Sequence, residues 1–351
     1  MPLSHDPRIL ICRLSALGDC VHTMPLAAAL RRRFPKAYIA WLTQPQSVPL
    51  LADHPDLDEV LTVPRGYLKS PARIVELRKT LRSRRFDVTI DPQSLSKSSI
   101  PAWLSGAKKR IGFARPSGRE VAPLLNNVRV RPESLHIVDQ NLELLRPLGV
   151  NEPDVEFKLP VSYAAARTID VLLADSQVRS PVVIHPGAGW DSKLWPHQRY
   201  ANVAKHLGDH YSARTYVVWY GERMRRWAEE TAARSGGHAQ VSPALTLPEL
   251  VALLDRARLF LGSDSGPLHM AAALQTPTVS MFGPTLPDRN GPYRQGHWAL
   301  QAYYQGGTTR AKKRAGNHAM QAISSQAVIA ACEQAIAPDL VHTSAGEFAS
   351  L

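Results

Sequence analysis

From residue 8 onward the chain repeats one pattern: a short aliphatic run, a tight turn of small and polar residues, then a stretch with apolar side chains at helical spacing. Runs at 8–14, 38–42, 60–63, 88–90 and 110–113 read as strands, and stretches at 20–34, 72–85 and 137–148 as helices. The 72–85 stretch sets Ile74, Leu77 and Leu81 on one face. Residues 151–160, rich in proline and charge, read as a linker. The alternation then restarts, with strands at 182–184, 215–219, 257–261 and 278–281 and helices at 196–210, 223–235, 247–255, 268–274 and 324–335. Alternation of this kind makes parallel α/β sheets of the Rossmann type, here two in succession. Ligands of such sheets bind at the carboxyl ends of the strands, so the turns after strands carry the functional information.

Composition narrows the class. At 351 residues the chain exceeds one ordinary core, and 44% apolar with 21% charged residues is the profile of a soluble globular enzyme. No run approaches the roughly 18 apolar residues of a spanning helix, and residues 1–8 lack the apolar core of a secretory leader. Cys12, Cys20 and Cys332 have no metal-ligand spacing, which fits a reducing cytoplasm. The net charge of +12 is uneven: 23 Lys and Arg against 13 Asp and Glu in residues 1–150, 19 against 17 in the rest. The first half therefore expects an acidic partner, although solubility alone also accounts for such charge.

The turns themselves are specific in type. Leu261-Gly262-Ser263-Asp264-Ser265-Gly266-Pro267-Leu268-His269 turns from strand to helix, with Ser265 or Asp264 as cap and Pro267 in the first turn. Small residues there admit a ligand to the backbone, and the helix start offers N–H groups to an anion, most naturally a phosphate. His185-Pro186-Gly187-Ala188-Gly189 precedes Lys193, which stands beside the same anion or is a solvated surface lysine. Glu222, after a strand and a Tyr220-Gly221 turn, is a ribose ligand or a helix-start acid. His269 is a ligand or a packed histidine. In the first half, Asp19 follows the Ser15-Ala16-Leu17-Gly18 turn as either a capping carboxylate or a base. Asp91, Gln93, Lys97, Arg115 and Arg119 form a polar, basic set where a substrate would lie. Asp56-Leu57-Asp58 reads as a solvated acidic loop, and no His/Cys cluster points to zinc.

Taken in order, these segments resemble glycosyltransferase family 9, the heptosyltransferases of lipopolysaccharide core synthesis, from about Arg8 to Ala335. The carriers are R-I-L-I-C-R-L-S-A-L-G-D-C-V-H-T-M-P from Arg8, Asp91-Pro92-Gln93-Ser94-Leu95-Ser96-Lys97-Ser98, His185-Pro186-Gly187-Ala188-Gly189 through Lys193-Leu194-Trp195-Pro196, and Ser263 to His269 with Phe282-Gly283-Pro284-Thr285. Ser94 stands where the family pattern has glycine, and residues 305–318 lack the cysteines of many relatives.

The resemblance implies a GT-B architecture of two Rossmann-like domains facing a central cleft. Residues 1–160 would be the acceptor domain, 161–340 the nucleotide-sugar donor domain, and 341–351 a polar, poorly ordered tail. It implies inverting transfer of L-glycero-D-manno-heptose from ADP-heptose to a lipid-anchored acidic or phosphorylated core acceptor, without a metal or other cofactor. Asp19 would be the general base. Gly187, Lys193, Glu222, Asp264, Ser265, Gly266 and His269 would serve the donor, and Gln93, Lys97 and Arg119 the acceptor. The protein would be cytoplasmic, with peripheral association at the inner membrane surface. Alternatives are a family relative using another nucleotide sugar or acceptor, and an NAD-dependent oxidoreductase of the same sheet type. The missing G-x-G-x-x-G argues against the oxidoreductase. A nucleic-acid partner is disfavoured because the basic residues lack interleaved aromatics.

Overall fold

The computed structural model describes residues 6–293 and 296–344. The chain divides after Pro160 into two compact units, Met1–Pro160 and Val161–Leu351. The first holds β1 Arg8–Cys12, β2 Tyr38–Thr43, β3 Glu59–Thr62, β4 Val88–Asp91, β5 Lys109–Phe113 and β6 Val128–Val130. The second holds β7 Val182–His185, β8 Thr215–Val217, β9 Ala239–Val241, β10 Leu259–Ser263, β11 Thr278–Met281 and β12 His297–Leu300.

Every strand pair is parallel. The first sheet runs β3-β2-β1-β4-β5-β6, and the second β9-β8-β7-β10-β11-β12, the same order copied. This is the doubly wound order, which reverses direction at β1/β4 and at β7/β10. Central strands are buried on both faces because helices cover both: β4, β7, β10 and β11 are buried throughout, the polar Thr89, Asp91, Thr278 and Ser280 included. In the first unit Leu10, Cys12, Leu42, Leu81 and Phe86 share a core, and in the second Ile184, Leu261, Val279, Val203 and Leu207 do so.

The structure departs from expectation at several places. Residues 20–34 are not one helix: a five-residue helix Leu17–Val21 ends before Met24–Arg33, and Asn141 donates to the carbonyl of His22 and to Thr23 across the break. Asp56-Leu57-Asp58 is not a solvated loop. Asp56 is buried and pairs with Lys158 at 3.1 Å, and Asp58 pairs with Arg31 at 2.6 Å and accepts from the Ile39 N–H. Residues 151–160 are likewise no free linker. Arg32 pairs with Asp154 and Glu156, His54 bonds the Phe157 carbonyl, and Phe157 and Leu159 are buried, so the segment is sewn onto the first unit. The last helix, Ser325–Ser344, carries Val341 to Ser344 in place of the expected tail. Residues 345–351 of that tail, and residues 1–5, lie outside the described residues. Among the described residues no helix is long and apolar enough to cross a membrane.

Candidate active site

Both reversals of strand order carry polar side chains at the carboxyl ends of their strands. In the first unit, the chain leaves β1 through Arg13 and reaches Asp19, the third residue of helix Leu17–Val21. The Asp19 carboxylate accepts from the Ala16 N–H at 3.0 Å and lies 3.4 Å from Arg13, and its side chain is 43% exposed. Asp19 is thus a capping carboxylate that still faces solvent. The charge it pairs with is the buried Arg13 guanidinium; a five-residue helix has little dipole of its own. Arg13 is held in turn by the carbonyls of Asp19 and Pro92.

β4 delivers the opposing residues. The two ends of the Gln93 amide are occupied by backbone: it accepts from the Leu14 N–H and donates to the Ser15 carbonyl. Gln93 therefore fixes the turn that carries Asp19. Lys97, in the first turn of helix Ser96–Leu104, donates to Ser15 Oγ at 2.7 Å. Burial and the neighbouring Arg13 lower its pKa, against the pull of Asp19. Lys97 and Ser15 line a pocket of about 440 Å³ with Gln44, Arg65 and Tyr67. Arg119 is exposed, and its backbone N–H donates to the Ser94 carbonyl. Beneath them Asp91 is fully buried; burial pushes its carboxyl up to about 6, against hydrogen bonds from Ser98, the Ser94 N–H and Asn126.

In the second unit, Lys193 sits in a short 3-10 turn, Asp191–Lys193, and only 14% of its side chain is exposed. Its Nζ lies 2.6 Å from Asp264, at the end of β10. Asp264 also accepts from His269 Nε2 at 3.1 Å and from Thr285 Oγ1 at 2.7 Å. Burial raises the Asp264 pKa, but the His269 hydrogen bond and the Lys193 charge more than reverse this, leaving it well below the usual carboxylate range. The lysine is therefore aimed and anchored, not a solvated surface group.

The helix Gly266–Ala273 begins at Ser265, yet no side chain caps it. Asp264 is engaged as above, and Ser265 Oγ instead meets His185 Nδ1 at 3.3 Å, so neither plays the capping part expected of it. Among the described residues the first N–H groups of this helix have no side-chain acceptor, which suits an incoming anion. His185 is buried and burial lowers its pKa to about 4, so it is neutral at physiological pH. A Cβ on Gly187 would fall 2.4 Å from Met224 Sδ, so this glycine lets helix Gly221–Arg234 close on the loop after β7. Glu222, in the first turn of that helix, is exposed, and among the described residues none bonds its carboxylate. Its neighbour Arg223 pairs with Asp191.

The structure thus gathers Lys193, Asp264 and His269 into one network, sets Ser265 against His185, and leaves Glu222 apart. Two members escaped the sequence. Arg13 is hidden inside an aliphatic run, where a lone arginine is itself a sign of a buried, fully bonded charge. Thr285 closes the Phe282-Gly283-Pro284-Thr285 segment, and only its hydroxyl bond to Asp264 shows what it does there. A third feature is Trp190, whose ring carries the Lys193 ammonium at 4.6 Å and that of Lys313 at 5.3 Å.

Two tandem Rossmann-like units with polar strand-end sites form the GT-B architecture of glycosyltransferases. The sequence pattern of "Glycosyltransferase family 9 (heptosyltransferase)" matches residues 74–319. Lipopolysaccharide heptosyltransferase 1 of Pseudomonas aeruginosa is 31% identical over 299 residues, 82% of this chain and 81% of that protein. Lipopolysaccharide core heptosyltransferase OpsX of Haemophilus influenzae is 27% identical over 84% of each. Among solved structures, a family 9 glycosyl transferase from Veillonella parvula superposes with a TM-score of 0.80 at 20% identity, covering 96% of this chain and 99% of that one. E. coli heptosyltransferase WaaC with ADP gives 0.76 at 22% identity, covering 93% and 99%. The chain belongs to glycosyltransferase family 9 and is a glycosyltransferase.

Proposed function

We propose that this enzyme transfers a heptose from ADP-L-glycero-D-manno-heptose to the inner core of lipopolysaccharide, with inversion. The observation that carries the donor half is Lys193, held by Asp264 at 2.6 Å beside the uncapped start of helix Gly266–Ala273. A lysine and free amides at one strand-end reversal fit a nucleotide diphosphate, whose charge grows as it leaves. The similarity to lipopolysaccharide heptosyltransferases, and to WaaC with ADP, supports ADP as the nucleotide.

The acceptor hydroxyl attacks the anomeric carbon and the bond from that carbon to the diphosphate oxygen breaks. The hydroxyl proton passes to the Asp19 carboxylate, and ADP departs. A single displacement inverts the anomeric centre. Asp19 is poised for this because Arg13 and the Ala16 N–H orient it while almost half of it stays open. Lys193 neutralises the leaving diphosphate, joined by the amides of Ser265 and Gly266 and by Lys313 across the Trp190 ring. Asp264, His269 and Thr285 hold Lys193, and Gly187 lets the loop close. Glu222, exposed at its helix start, reaches the nucleoside. Lys97 and Arg119 bind acceptor phosphates or acidic sugars, and Gln93 acts through the Asp19 turn. The acceptor is lipid-linked, so the enzyme works at the cytoplasmic face of the inner membrane.

Thermal unfolding with a donor panel tests this. ADP-heptose raises the melting temperature more than UDP-glucose, NAD or an oligonucleotide. A larger shift with another sugar nucleotide reassigns the donor within the family, and no response to any ADP-sugar overturns the reading.

A further inference from the structure

Away from both strand-end sites, the first unit carries a groove of about 450 Å³ between helices Pro71–Ser83 and Ser96–Leu104. Its walls combine two chemistries that rarely meet on an idle surface. Val75 is 66% and Trp103 52% exposed, both large apolar side chains facing solvent. Arg78, Arg82 and Arg110 line the same groove. Val75, Arg78 and Arg82 fall at spacings of three and four, hence on one stripe of their helix, while Leu77 and Leu81 turn into the core. Glu76 lies on another stripe, more than about 100° round the helix. Among the described residues neither Arg78 nor Arg82 has an acidic partner within ion-pair distance, and Lys108 is exposed just beyond Gly106. Arg110 donates to the Leu125 carbonyl, tying the groove to helix Ala122–Leu125, where Leu124 is also exposed.

We infer that this groove is the surface by which the enzyme docks on an anionic phospholipid bilayer. Exposed arginines with no acid beside them are drawn to acidic headgroups. A tryptophan among them has the apolar body and polar N–H of a residue that settles at a membrane interface. The placement is also apt. Helix Ser96–Leu104 bears Lys97 at its start and Trp103 near its end, six residues and roughly 9 Å along the axis. Docking at Trp103 would hold the acceptor end of the same helix close to the lipid surface. The inference builds on the lipid-linked acceptor proposed above, but not on the identity of the sugar.

The test uses the full chain and sedimentation with vesicles of phosphatidylcholine alone or mixed with phosphatidylglycerol. The wild type sediments with the phosphatidylglycerol vesicles and not with neutral ones. The double variant Arg78→Glu/Arg82→Glu, and separately Trp103→Asp, bind at least about tenfold more weakly. Both keep the wild-type melting temperature and the wild-type rate on a short, soluble, lipid-free acceptor, while transfer to acceptor embedded in vesicles falls. Equal vesicle binding by wild type and variants overturns the inference. So does tighter binding to single-stranded RNA that the same charge reversals abolish, since that would make the groove a nucleic-acid site. If the wild type fails on the soluble acceptor, the proposed function falls, and vesicle sedimentation still decides the docking surface.

Discussion

Ser94 occupies a left-handed backbone position, φ +46°, that glycine fills without strain. Its hydroxyl explains why serine is tolerated: it donates to the Asp91 carbonyl at 2.7 Å and accepts from the Phe113 N–H at 2.8 Å. Ser94→Ala keeps the strain and removes both bonds, leaving a buried N–H without a partner, and should cost about 2 kcal/mol. Ser94→Gly loses the bonds but sheds the strain, and should be about 1 kcal/mol more stable than Ser94→Ala in urea unfolding. The reverse order would show that backbone strain at Ser94 is negligible. A serine letter reveals that glycine is missing, but not that the φ is positive. Asp19 is more legible, because a carboxylate after a strand and a tight turn is restricted in what it can do. Asp19→Asn retains an oxygen for the Ala16 N–H and removes only the charge. Turnover should fall by at least about 10²-fold while ADP binding by calorimetry stays within about twofold. An active Asn variant removes Asp19 as the base.

Helices and strands read well wherever their own residues bury a face, and poorly where context decides. β6, β9 and β12 leave no mark in the sequence because they are three or four residues long and partly exposed, with no aliphatic run to announce them. Helix Ser96–Leu104 opens on serines and contains Pro101, so its propensity is low; packing on β1 and β4 makes it a helix. That helix matters because its first turn presents Lys97. Lys97→Ala should raise the KM for acceptor about tenfold or more and leave donor affinity within about twofold. Parallel losses in both would mean that Lys97 supports the fold of the Ser15 turn, through its bond to Ser15 Oγ, rather than the acceptor. The strand-end turns are legible without the strand order, since small residues after aliphatic runs are a local signal. Which turns share a reversal is a property of the sheet, and no spacing along the chain encodes it.

At the scale of the molecule, one strand order is used twice, but the two units respond to acid in different ways. In the first, Asp91 has its carboxyl pushed up to about 6, so it contributes stability as pH falls from about 6 toward 4. In the second, burial holds His185 and His297 down at about 4. Unfolded, such a histidine takes up its proton near its ordinary value of about 6.5. Between about 6.5 and 4 the unfolded chain therefore binds protons that the folded unit does not. The contribution is complete above about 6.5 and is lost as pH falls toward 4, reaching about 2 kcal/mol for His185 at pH 5. Hydrogen exchange at the amides of β7 and β10 should accordingly show protection falling between pH 7 and pH 5, after correction for the intrinsic rate. In His185→Gln the fall should be shallower by about that amount, His297 accounting for the remainder. The amides of β4 should lose less protection, because Asp91 acts in the opposite sense and offsets His54, whose pKa burial also lowers. Identical slopes for wild type and His185→Gln would mean that His185 takes up a proton without opening the loop beside Ser265. In that event it would be a titrating member of the proposed donor site rather than a neutral brace beneath it.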